Sequence, residues 1–134
     1  MRKPVSVLLV EDHALLRREL RRTLDEDADI RVAGEAANGA EGLDLAEVLH
    51  PDVVVMDLTM PVMDGIQAAR RMLARNPDIA VLILSMNSQE RFIARALDAG
   101  VRGYVVKDAA DLDLAAAVKD VAAGKQVLPC AVES

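Results

Sequence analysis

Aromatic side chains are nearly missing from this sequence: Phe92 and Tyr104 are the only two, and there is no tryptophan. A core without aromatic bulk must be filled by Val, Leu, Ile, Ala and Met. The apolar share of 52 % over 134 residues is ample for one compact domain and leaves little room for a second. Cysteine is also scarce. The lone Cys130 excludes a disulfide within the chain and suits a reducing compartment. No apolar run approaches the roughly 20 residues that a membrane-spanning helix needs. Met1-Arg2-Lys3-Pro4 leads straight into a strand-like segment, without the apolar stretch of a signal peptide. These features set the expectation of a cytoplasmic protein. Excess positive charge is absent too: the net charge is −6, which argues against this stretch holding nucleic acid by its own field. Arg17, Arg18, Arg21 and Arg22 form a local basic run, but they share a helical pattern with Glu19 and read as a solvated helix face.

What is present is a fivefold alternation. Short apolar runs occur at Val5–Val10, Ile30–Ala36, Asp52–Met56, Ile79–Leu84 and Arg102–Val106. They are rich in β-branched residues and mostly continuous, the pattern of strands covered on both faces. Between and after them lie helical stripes. Leu16, Leu20 and Leu24 form the first; Ile66, Ala69 and Leu73, then Ile93, Ala96 and Leu97, form two more. Leu114, Ala117, Val118 and Val121 form the last. Asn38-Gly39 opens the second helix and His50-Pro51 closes it; Asn76-Pro77 ends the third; Gly100 and Gly124 follow the fourth and fifth. A strict (βα)5 order with short loops predicts a doubly wound five-stranded parallel sheet, because crossovers are right-handed and helices must cover both faces.

In such a sheet the working site lies beyond the carboxyl ends of the strands. There the sequence carries Glu11 and Asp12 after the first strand, Asp57 after the third, Ser85 after the fourth and Lys107 after the fifth. Three converging carboxylates repel one another unless a cation is shared, and Mg2+ prefers carboxylate and water oxygens. A lysine and a hydroxyl suit phosphoryl oxygens. The set makes chemical sense if one carboxylate attacks phosphorus while the others neutralise charge, and Asp57, on the central strand before a loop, is the natural nucleophile. Each residue alone has a plainer reading. Asp12 could cap a helix starting at His13, Ser85 could cap the fourth helix, and Lys107 could snorkel from the sheet edge.

The stretches SVLLVEDHALLRREL, PDVVVMDLTMPVMDGIQAARRM and VLILSMNSQERFIARALDAGVRGYVVKD, with the helix that follows, resemble a response-regulator receiver domain over nearly the whole chain. The closest wording is that of the NarL/FixJ (LuxR-type transcriptional regulator) subgroup. The resemblance implies a flavodoxin-like fold of strand order 2-1-3-4-5 and a phosphoryl group accepted on Asp57 from a sensor histidine kinase. It also implies that Glu11, Asp12, Asp57 and the backbone carbonyl of Thr59 hold Mg2+, and that Lys107 contacts the phosphoryl group. Ser85 would bond to that group, and Tyr104 would swing toward the space Ser85 vacates. Met60-Pro61 and Asp64-Gly65 would shape the loop after Asp57. Glu11 stands where many receivers have Asp, and Ser85 where Thr is commoner.

The implied boundaries are a receiver over residues 4–125 and, from 126 to 134, the start of an interdomain linker or a C-terminal tail. GKQVLPCAVES resembles such a linker, so the expectation is a receiver cut from a longer DNA-binding regulator rather than a stand-alone one. Phosphorylation would switch a dimerisation or output surface, and a helix-turn-helix domain outside this stretch would bind DNA. No enzymatic turnover is expected beyond self-phosphotransfer and autodephosphorylation. Two other readings stay open: an aspartate-nucleophile Mg-dependent phosphohydrolase, and a receiver-like interaction module that is never phosphorylated. The hydrolases usually carry a second Asp two residues after the nucleophile, where this chain has Thr59; the interaction module would be expected to lack a site residue.

Overall fold

The structure is a computed structural model that describes residues 3–58, 62–85, 90–106 and 113–128, with the side chains of 58 and 62–64 left aside. Five strands and five helices alternate: β1 Val5–Val10, α1 Ala14–Asp25, β2 Ile30–Ala36, α2 Gly39–Leu49, β3 Val53–Leu58, α3 Val62–Arg75, β4 Ala80–Ser85, α4 Glu90–Asp98, β5 Gly103–Val106 and α5 Leu114–Ala122. The sheet is parallel throughout, as the alternation of apolar runs and helical stripes predicts, and its order β2-β1-β3-β4-β5 is the one the family resemblance implies.

Two cores lie on opposite faces of this sheet. Leu8, Val10, Val54, Met56, Val81 and Ile83 turn toward α2, α3 and α4, where they meet Ala46, Ile66, Ala69, Met72, Ile93 and Ala96. The intervening residues Val7, Leu9, Val53, Val55 and Leu82 turn toward α1 and α5, where they meet Leu24, Val118 and Val121. Strand alternation thus separates the two faces, and every strand residue of β4 is buried. In α3, Ile66 and Ala69 are buried as expected, but the third buried residue is Met72, with Leu73 only packed against the core's margin, so the stripe turns slightly from its expected setting.

Polar residues set the ends of the helices. Asn38 accepts the Glu41 amide at 2.8 Å and starts α2, while His50 closes it in the left-handed region (φ 47°) before Pro51. Asp113 accepts the Ala116 amide at 3.0 Å and starts α5. At α1 the cap is His13, whose Nδ1 accepts the Leu16 amide at 3.3 Å; the reading of Asp12 as a cap is corrected by this contact. Ser85 is the last paired residue of β4, and the described part of α4 runs from Glu90.

After α5 the chain returns to the sheet. Val127 forms a parallel bridge with Gly103, so the stretch just past residue 125 lies along the outer edge of β5.

Candidate functional site

The register of the central strands brings the site residues together. Val10 pairs with Met56, so Glu11 and Asp57, the next residue on each strand path, are neighbours. Asp57 is still within β3 and pairs with Leu84 of β4; Leu58 pairs with Ser85, and Ser85 with Val106 of β5. Glu11, Asp57 and Ser85 are the buried polar or charged residues among those described, each 1 % exposed. A polar trio within an otherwise largely apolar interior sits at the one place where the fold predicts a working site.

Glu11 and Asp57 line the same cavity of about 220 Å3, whose wall also includes Gly39 of α2 and Gly65, Gln67 and Arg71 of α3. Two adjacent buried carboxylates repel one another, and their burial is costly unless positive charge is supplied nearby. Asp12 does not share this burial: it is exposed, one residue beyond Glu11. Thr59 and Lys107 lie outside the described residues, as do Met60 and Pro61; of the residues expected there, Val106 is the last placed on β5, opposite Ser85. Among the described residues no three His, Cys, Asp or Glu side chains are grouped to hold a metal. The donor chemistry of Glu11 and Asp57 nonetheless fits Mg2+, which commonly takes one or two carboxylates and fills its remaining positions with water and phosphate oxygens.

Tyr104 lies in β5 opposite Ile83 and is 0 % exposed, packed with the α2–α4 core. Burial pushes its hydroxyl above the ordinary tyrosine range, and a hydrogen bond with the Ser85 side chain pulls partly the other way. The ring is therefore already turned inward and bonded to Ser85 in this structure. Phe92, by contrast, is half-buried, with the Arg91 guanidinium 4.9 Å above its ring.

The basic run of α1 divides. Arg18 and Arg22 are exposed, as a solvated face requires, but Arg17 and Arg21 both reach Glu35 on β2. Arg17 also donates from Nη1 to the Glu11 carbonyl at 2.8 Å. The spacing of four between Arg17 and Arg21 marks a shared helix face; Glu35, on another element, is what turns that face inward.

A doubly wound parallel sheet with buried acids meeting at the carboxyl edge of its central strands is the architecture of a flavodoxin-like receiver. Comparison with known proteins agrees: residues 7–119 match the response regulator receiver domain family. The chain is 42 % identical over 124 residues to the DNA-binding transcriptional activator DevR/DosR of Mycobacterium tuberculosis, covering 92 % of this chain and 57 % of that protein. It is 36 % identical over 126 residues to the nitrate/nitrite response regulator protein NarL of Escherichia coli K12, covering 94 % of this chain and 58 % of that one. Among solved structures it superposes on a LuxR-family two-component response regulator from Aurantimonas sp. SI85-9A1 with a TM-score of 0.90 at 32 % identity, covering 97 % and 93 % of the two chains. The chain belongs to the response regulator receiver domain family and is of the NarL/LuxR type. It spans somewhat over half the length of the curated relatives it matches.

Proposed function

We propose that this receiver domain accepts a phosphoryl group on Asp57 from a sensor histidine kinase. The observation that carries the reading is the burial of Asp57 on the central strand, beside buried Glu11, at the wall of a cavity. An Asp57 carboxylate oxygen attacks phosphorus, the bond from phosphorus to the donor breaks, and the donor leaves with that electron pair. Glu11 and Asp57, with Asp12 and the Thr59 carbonyl, are the residues to hold Mg2+. When bound, the ion offsets carboxylate repulsion and the charge on the transferring oxygens. Lys107 is assigned the second positive charge, and Ser85 a hydrogen bond to a phosphoryl oxygen.

Phosphorylation adds about −1.5 to −2 charge to a site already rich in acids. Such a change acts by biasing conformations the domain already has. Ser85 and Tyr104, bonded to one another, are the residues proposed to report it to the surface formed by α4, β5 and α5. The output is proposed to be homodimerisation and DNA binding through a helix-turn-helix domain beyond residue 134, in a cytoplasmic transcriptional regulator. No helix among the described residues is long and apolar enough to cross a membrane. Chemistry is confined to self-phosphotransfer and hydrolysis of the chain's own acyl phosphate.

Incubation with acetyl phosphate and Mg2+, followed by intact-mass measurement, tests the reading. One phosphoryl adduct per chain is expected, and none in Asp57→Asn. Steady turnover of phosphoesters would instead assign a phosphohydrolase. Complete lack of an adduct in the native chain, with Mg2+ present, would leave the interaction-module reading standing.

A further inference from the structure

The face of α1 that carries Arg17 is joined to the proposed metal site through the backbone of Glu11. The Glu11 amide donates to the Ala36 carbonyl at 3.0 Å, and its carbonyl accepts from Arg17 Nη1 at 2.8 Å. Arg17 Nε is 3.3 Å from Glu35 Oε1, and Glu35 directly precedes Ala36 on β2. The contacts therefore close a ring: Glu11, Arg17, Glu35, Ala36 and back to Glu11. Arg21 holds the other oxygen of Glu35 and reaches Asp25 at 3.5 Å, which keeps Glu35 from following Arg17 outward. With both backbone polar groups of Glu11 tied to partners on α1 and β2, the point from which its buried side chain leaves the backbone is held before any ion arrives.

Resting on the Mg2+ reading above, we infer that Arg17 is a positioning residue for the metal site, aiming the Glu11 carboxylate by gripping its carbonyl while anchored on Glu35. Arginine suits the task because a guanidinium can donate from Nε and Nη in two fixed directions at once, which a lysine ammonium cannot match. The side chains of Arg17 and Glu35 are 22 % and 29 % exposed, so the grip is partly shielded from water.

The test is calorimetric titration of the 134-residue chain with Mg2+ in the absence of a phosphodonor, with urea unfolding of each variant alongside. Loss of such an outer contact is expected to weaken Mg2+ binding about tenfold in Arg17→Ala. Arg17→Lys should recover part of that loss, and Arg18→Ala should bind as the native chain does. Saturating Mg2+ should return the phosphorylation rate of Arg17→Ala toward the native rate, a recovery that general loosening of the fold would not give. Native Mg2+ affinity in Arg17→Ala overturns the inference. Should that variant fail to fold, Glu35→Gln is read instead: weakened binding supports the inference, and unchanged binding overturns it. If Glu11→Gln binds Mg2+ as tightly as the native chain, the metal reading itself fails, whatever Arg17 does.

Discussion

The contact between Ser85 and Tyr104 can be weighed without any phosphate. Both residues are buried, at 1 % and 0 % exposure, and their side chains share a hydrogen bond. Tyr104→Phe removes only the hydroxyl and withdraws a partner from buried Ser85, which costs about 1–3 kcal/mol. Ser85→Ala does the same to the tyrosine hydroxyl, with a cost of the same order. The double variant removes both ends of the bond, so its loss should fall short of the sum by about 1 kcal/mol or more. Tyr104→Ala serves as the scale: emptying a fully buried aromatic site costs about 3–5 kcal/mol.

Urea unfolding followed by far-ultraviolet circular dichroism is the suitable assay, since the chain has no tryptophan to report by fluorescence. The urea dependence should stay the same across the four chains, leaving the midpoint to carry the difference. Single losses that add to the double loss within about 0.5 kcal/mol would refute the coupling. A second arm uses pH. Burial raises the Tyr104 hydroxyl above its ordinary value near 10, so the unfolded chain loses this proton first as pH rises. The associated stability is fully present below pH 10, declines as the pH climbs through the raised folded value, and should not show that decline at residue 104 in Tyr104→Phe.

Two other expectations follow from local geometry. Lys119 on α5 donates to Asp27 at 2.8 Å and holds its carboxyl below the ordinary value of 3.8; stability from this contact is present above that value and lost as pH falls through the lowered one. Lys119→Met should therefore flatten the acid limb of a stability-against-pH curve, and an unchanged limb would refute the assignment. Gly100 follows α4 at φ 100°, where an added Cβ would lie 3.0 Å from Leu73 Cδ1; Gly100→Ala should cost about 1–2 kcal/mol in urea unfolding, whereas no loss would show that the turn adapts.

Much of the fold was legible because strands and helices alternate with clear punctuation. β1 and β2 begin and end where their apolar runs do. β3 runs on through Asp57 and Leu58, past the end of the run read from Asp52 to Met56, because pairing with Leu84 and Ser85 uses backbone groups and is indifferent to the charge on Asp57. Apolarity marks where a strand is buried, whereas the ladder marks where it ends, and at a functional edge the two part company. The role of His13 was hidden by a more familiar cap beside it: Asp12 has the better capping side chain, but the helix starts one residue later than Asp12 could serve. Arg17 and Arg21 were legible as one helix face, and their attraction to Glu35 was not. Helical spacing reveals neighbours on the same element, while a partner on β2 is supplied only by the packing of α1 against the sheet.

Tyr104 also joins the site to the segment that follows α5. β5 is the edge strand of the sheet, and its outer amides and carbonyls need partners. Val127 supplies them: its carbonyl accepts the Tyr104 amide at 2.8 Å, and its own amide donates to the Arg102 carbonyl at 3.2 Å. At Gly103 a Cβ would come within 2.5 Å of Leu82 Cδ1 and 3.0 Å of Val121 Cγ1, so the glycine there lets β5 pack closely on β4 and α5. Val127 packs with the α1–α5 core and Leu128 with the α2–α4 core, so the segment straddles both faces of the sheet at its edge. The hydroxyl of Tyr104 thus bonds to Ser85, whose neighbour across the ladder is the residue after Asp57, and its amide bonds to Val127. A displacement of this one residue changes contacts at the acidic site and at the segment after α5 together, because no intervening side chain separates either bond from it.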